Sequence, residues 1–157
     1  MEPAAGDRLF VDTNILLTAT DRGRSLHAEA REVLSTAGPK GLHMVVSGQV
    51  VREYLVVATR PLDANGLGMK PADAVKNADA FLQRMIVLDE TERVSERLCK
   101  LTRAHGLCGK RIHDANIAAT MLVHGVDFLL TANPEDFRGL PEIQLLDVAA
   151  LARLLAE

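Results

Sequence analysis

The sequence has no tryptophan, one tyrosine and four phenylalanines, so aromatic residues are only 3% of it and its core must be aliphatic, chiefly leucine and alanine. Cysteine is nearly as scarce. Cys99 and Cys108 form no CxxC pair and no Cys/His set has zinc spacing, which argues against a disulfide framework and a structural zinc site; both read as reduced thiols. No run approaches the ~18 apolar residues of a membrane span, and Met1 to Arg8 lacks a basic region followed by an apolar one. The expectation is a cytoplasmic protein with neither anchor nor signal peptide. Excess positive charge is also missing: a net charge of −3 argues against a non-specific phosphate-binding surface, whose affinity comes from lysine and arginine. Divalent metal would reverse that reasoning, because a bound cation can be the largest local charge in an acidic pocket.

What the chain does have is length and pattern. At 157 residues, 48% hydrophobic and 25% charged, it reads as one domain over 1–157 with a loose segment at 1–8, able to bury roughly 68–70% of its unfolded surface. Short apolar runs at Leu9 to Val11, Leu42 to Val46, Ile86 to Leu88, Phe128 to Leu130 and Ile143 to Leu146 read as strands. Helical patterns lie between them. Ser25, Ser47 and Asp147 stand where helix caps are expected, Gly106 and Gly125 stand just past helix ends, and Pro61 to Lys70 is the most loop-like stretch. This alternation predicts a three-layer α/β fold with a mainly parallel central sheet of about five strands flanked by helices.

In open α/β sheets the working groups gather at the carboxyl ends of the strands, which sorts the acids by position. Asp12 follows the first strand directly, with the polar Thr13 and Asn14 behind it. Glu53 falls about one and a half turns into the helix leaving the second strand, and Asp114 lies in the first turn of its own helix. Thr131, Asn133 and Asp136 follow the fourth strand. Asp127 precedes that strand and belongs to the opposite edge, Asp147 is a cap, and Asp89 lies far out after the third strand. Four carboxylates in one pocket repel each other, and all-oxygen ligands without cysteine suit magnesium or manganese, which can activate water against a phosphodiester.

Val11-Asp12-Thr13-Asn14, Glu53, the segment His113 to Thr120 and the segment Thr131 to Phe137 together resemble the PIN domain, and in size the toxin ribonucleases of the VapC type. The match runs roughly from Leu9 to Leu146. This resemblance implies a Mg2+- or Mn2+-dependent endoribonuclease acting through metal-activated water. It also implies a parallel sheet, a homodimer, an RNA substrate and an antitoxin that blocks the cleft. Residue by residue it makes Asp12, Glu53 and Asp114 the first three acids and Asp136 the best match for the fourth, with Asn133 either sharing that role or only ordering the loop.

Each of these residues also has a plainer reading. Asp12 and Asp136 suit turns, Glu53 suits a solvated helix face, and Asp114 suits the dipole of its helix. Thr13 and Asn14 either cap the first helix or touch metal-bound water or phosphate. Lys110, Arg111, His113, Arg22 and Arg24 are either solvated surface or contacts to RNA phosphates. Three function classes follow: a metal-dependent nuclease, a catalytically silent PIN-fold module that binds RNA or protein, and a phosphoryl-transfer domain. Asn14 counts against the third, because a phosphatase of the haloacid dehalogenase type needs an aspartate there to act as general acid.

Overall fold

The computed structural model describes residues 1–140 and 142–157. Its five strands are β1 (Arg8–Val11), β2 (His43–Ser47), β3 (Ile86–Leu88), β4 (Phe128–Leu130) and β5 (Gln144–Leu146). They form one parallel sheet in the order β3-β2-β1-β4-β5. The chain thus steps outward from β1 to β3, then crosses back to lay β4 against the other side of β1. That crossing creates the switch point of the sheet between β1 and β4, where the connections leaving the two strands part and leave a crevice.

Seven helices surround the sheet among the described residues: α1 (Thr13–Thr20), α2 (His27–Thr36), α3 (Gly48–Thr59), α4 (Pro71–Leu82), α5 (Glu92–His105), α6 (Arg111–His124) and α7 (Val148–Ala156). They pack in two groups, α1 to α4 with α7 and α5 with α6. Leu9, Phe10, Val11, Val45, Val46, Leu129 and Leu130 are fully buried, as a strand covered on both faces requires. The core is aliphatic as its composition demands, with Tyr54 and Phe81 meeting edge to face at 5.6 Å. No helix among the described residues is long and apolar enough to cross a membrane.

Two of the three expected caps are absent. Leu26, not Ser25, precedes α2, in a left-handed conformation at φ 67° and with no side-chain cap. Ser47 does precede α3, but its hydroxyl is buried without a partner among the described residues, and the Gln49 amide is instead capped by Glu90 Oε2 at 3.0 Å. Asp147 caps α7 through Ala150 N at 2.7 Å, as expected.

The loop-like stretch after Arg60 is ordered by the end of α3. Leu67 N donates to Val57 O, Met69 N to Ala58 O and Gly68 N to Arg60 O, which gives the last carbonyls of the helix the partners they lack within it. Gly66 makes this close return possible, because a Cβ there would collide with the Arg60 carbonyl. Gly66→Ala is therefore expected to lower stability by roughly 1–3 kcal/mol in denaturant unfolding; an unchanged midpoint would contradict this packing.

Candidate active site

The register between β1 and β4 builds the centre of the site. Val11 pairs with Leu130, so the next residues, Asp12 and Thr131, emerge side by side at the switch point. Asp12 N donates to Leu130 O at 3.0 Å, and the Thr131 hydroxyl donates to Asp12 Oδ2 at 2.9 Å. Asn14 Nδ2 reaches both Asp12 Oδ2 and Thr131 Oγ1 at 3.2 Å, while Asn14 Oδ1 accepts from Ala132 N at 3.0 Å. Asn133 N donates to Thr131 Oγ1 at 3.1 Å, so that hydroxyl has one donor and two acceptor sites in use. Asp12 Oδ1 takes Thr13 N at 2.7 Å, which makes Asp12 itself the cap of α1. Neither Thr13 nor Asn14 caps it.

Glu53 is held from two sides. The Thr13 hydroxyl donates to its Oε2 at 2.9 Å, and Gln49, one turn earlier on α3, donates to its Oε1 at 2.8 Å. The same Gln49 amide donates to the carbonyl of His113 at 2.8 Å, and Asn116 Nδ2 donates to Gln49 Oε1 at 2.7 Å. Gln49 is only 2% exposed. It joins α3 to the first turn of α6 one residue before Asp114, and so sets Glu53 relative to Asp114. Asn116 also donates to Glu90 Oε1, extending the chain to the cap of α3.

Asp12, Glu53, Asp114 and Asp136 line one cleft of about 490 Å³ together with Thr13, Asn14 and His113, and with Arg52 and Arg60 at its rim. They come from four separate elements: the end of β1, α3, α6 and the short 3-10 turn Pro134–Phe137 after β4. Asp136 faces this cleft and Asn133 does not; Asn133 contributes its backbone N–H to the loop. Of the five candidate RNA contacts, only His113 lines the cleft. Arg24 pairs with Asp21 at 3.4 Å, Arg22 lines a separate concavity, and Lys110 and Arg111 sit at the start of α6 outside the lining. Arg111, three residues before Asp114, acts on that carboxyl through its charge.

Two carboxyls of the cleft are raised even though Arg52, Arg60 and His113 also line it. Burial raises the Asp12 carboxyl from 3.8 to about 6, against the hydrogen bonds from Thr131 and Thr13, with the charges of Glu53 and Asp114 adding to the rise. Asp114 is also raised to about 6, by burial first and then by the charges of Asp136 and Glu53, while His113 and Arg111 oppose. The donor set is entirely hard oxygen, which fits a magnesium- or manganese-like cation. Among the described residues no three Asp, Glu, His or Cys side chains are gathered tightly enough to hold an ion as they stand, so a cation here would keep several waters, as Mg2+ does readily.

Gln49, Asn116 and Glu90 belong to the site, and the positional sorting of acids does not single them out. Two signals were available: Gln49 stands four residues before Glu53 on one helix face, and Asn116 stands two residues after Asp114. Only the fold reveals that Glu90, at the end of β3, reaches the start of α3.

The chain belongs to the PIN domain family, which matches residues 9–143. Solved structures similar to it include VapBC2 from Rickettsia felis bound to a promoter DNA fragment, at 20% identity over 88% of this chain and 97% of that one with a TM-score of 0.68. PAE2754 from Pyrobaculum aerophilum is similar over 98% of both chains at 19% identity and a TM-score of 0.63. The Mycobacterium tuberculosis toxin VapC20, which cleaves the sarcin–ricin loop, matches at 20% identity over 77% of this chain and 86% of that one, with a TM-score of 0.60. A comparison with curated proteins finds no significant match.

The raised carboxyls have a consequence for stability. Between about pH 4 and 6 the folded state binds more protons than the unfolded one, so stability rises as pH falls through that window and is lost as pH rises past 6. For the buried Asp12 a shift of about two units corresponds to roughly 3 kcal/mol at most; the half-exposed Asp114 adds less because solvent screens it. In chelator, the melting temperature should climb as buffer moves from about pH 7.5 to about pH 5, and Asp12→Asn should flatten that slope. Equal slopes in the two proteins would contradict the assignment.

Proposed function

We propose that this chain is a divalent-metal-dependent endoribonuclease and the toxin of a toxin–antitoxin pair. The observation that carries the reading is that four carboxylates from four separate elements line one cleft at the switch point of the sheet. Asp12, Asp114, Glu53 and Asp136 are the residues that would hold the cation, magnesium or manganese by the hardness of their oxygens. A bound cation of this kind supplies Lewis-acid activation of water and neutralises charge on the phosphodiester.

The chain's own residues do the positioning. Thr131 and Asn14 hold one Asp12 oxygen, Thr13 N holds the other, and the Thr13 hydroxyl ties Glu53 to the same strand end. Gln49 fixes Glu53 against the α6 turn that carries Asp114. With these groups fixed before substrate arrives, little reorganisation remains for the reaction itself. Arg52, Arg60 and His113 at the cleft are the cations nearest an incoming phosphate. Support for RNA as substrate is the PIN family membership together with a structural neighbour that cleaves the sarcin–ricin loop. Support for an antitoxin partner is the recurrence of toxin–antitoxin complexes among the neighbours, those from Rickettsia felis, Klebsiella pneumoniae and Salmonella typhimurium included.

Purified protein incubated with a mixed RNA pool should cleave it, stop in chelator and resume with added manganese. Asp12→Asn should abolish cleavage while leaving the circular dichroism spectrum intact. Undiminished cleavage by that variant would overturn the mechanism. Intact RNA under all conditions, with RNA or a protein partner still bound, would support a catalytically silent module instead. Gln49→Met, which keeps the volume and removes the hydrogen bonds, should lower kcat by about ten- to a hundredfold through displacement of Glu53; an unchanged kcat would remove Gln49 from the account.

A further inference from the structure

A second concavity of about 340 Å³ opens beside the far end of α1, walled by α2 and α4. Arg22, Arg31 and Arg84 line it along with His27, and no aspartate or glutamate among the described residues does. Acids outnumber lysine and arginine in the chain by 21 to 18, so an acid-free hollow with three arginines is not what composition alone would give. The ion pairs among the described residues are Arg24 with Asp21 and Arg138 with Glu135. Within that set none of the three pocket arginines has a carboxylate partner.

Single arginines on a surface are ordinarily solvated and need no explanation. These three come from three different places, the turn after α1, α2 and the end of α4, and line one hollow. Phe81 lines the hollow and is set edge-on against Tyr54, whose hydroxyl lies 3.0 Å from Thr20 Oγ1. His27 is anchored through its Nδ1 to Thr18 O at 2.8 Å. Arginine side chains can lay their stems on neighbouring apolar surface and present planar, weakly hydrated forks, the geometry that grips phosphate through two hydrogen bonds.

We propose that this hollow binds backbone phosphates of a single-stranded RNA whose scissile bond lies in the acidic cleft. The proposal rests on the ribonuclease reading and deepens it. Leu17 of α1 lines the cleft while Ala19 and Thr20 line the hollow, so the two flank one helix. Asp12 and Thr20 are eight residues apart, about 12 Å along the axis at 1.5 Å per residue, which a few nucleotides span. A polyanion approaching four carboxylates needs positive charge elsewhere, since a cation in the cleft neutralises only its immediate surroundings and the chain as a whole is negative. A peptide carboxylate would suit the same arginines, but it has no such link to the cleft.

The test is fluorescence anisotropy of a short labelled single-stranded RNA with the full chain in chelator, where no cleavage interferes. The triple variant Arg22→Ala, Arg31→Ala, Arg84→Ala should bind at least about tenfold more weakly, and its log K against log salt slope should be shallower by about 0.7 for each phosphate that is no longer neutralised. Arg97→Ala, on α5 and outside both concavities, should bind as wild type does. A triple variant with wild-type affinity and slope overturns the proposal. So does unchanged RNA affinity with loss of binding to a polyglutamate peptide, which would assign the hollow to an acidic protein segment. Cleavage with arginine-independent RNA binding overturns the hollow and leaves the ribonuclease reading standing. Arginine-dependent binding in a protein that never cleaves does the reverse, and no RNA binding in chelator overturns the hollow while the ribonuclease reading is judged separately by cleavage in manganese.

Discussion

The hydrogen bond from Thr131 to Asp12 is the contact on which the rest of the site depends. It forms because Val11 and Leu130 pair in register, and a one-residue slip of β4 against β1 would turn Thr131 to the other face of the sheet. Asn14 and Asn133 then lock the two strand ends together through the same hydroxyl. Glu53 joins through Thr13, and Asp114 joins through Gln49. Removing the Thr131 hydroxyl would leave a carboxylate that is 7% exposed without one of its donors, a change that costs ~1–3 kcal/mol for a buried group.

This arrangement works against the stability of the bare fold. A chain selected only for stability would not put a buried aspartate where the charges of Glu53 and Asp114 act on it, nor let its carboxyl and that of Asp114 rise to about 6. On the proposed reading a divalent cation would relieve that repulsion, and any ligand that binds only the folded state stabilises it in proportion to the logarithm of its concentration over its dissociation constant. If both proposals hold, acidic centre and basic hollow divide one task. The centre would concentrate charge for chemistry on a phosphodiester, and the arginines beside α1 would offset the repulsion that the centre imposes on the remainder of a polyanion.

Much of the fold is legible in the sequence because buried parallel strands are short continuous apolar runs. Ile86–Leu88 and Phe128–Leu130 match their expected bounds, and the other three strands differ by one residue at an end or at both. The four acids are legible because strand-end position is a property of order along the chain. Ser25 and Ser47 mislead because cap preference is local. Left-handed backbone at Leu26 and a carboxylate arriving from β3 are decided by tertiary packing. Gln49 and Asn116 escape notice for the same reason: their partners lie 64, 67 and 26 residues away along the chain. The competition between Asn133 and Asp136 turns on the shape of a 3-10 turn, which sets Asp136 toward the cleft and which the pattern Asn-Pro-Glu-Asp-Phe does not specify by itself.

The central claim is that these four carboxylates form one divalent-cation site. Titration of the full-length chain with Mn2+, followed by calorimetry or by the electron paramagnetic resonance of the free ion, addresses it most directly. The account expects saturable binding in the wild type, together with its loss in Asp114→Asn protein whose melting curve remains cooperative. Equal Mn2+ binding by the two proteins, or none by either, would contradict it.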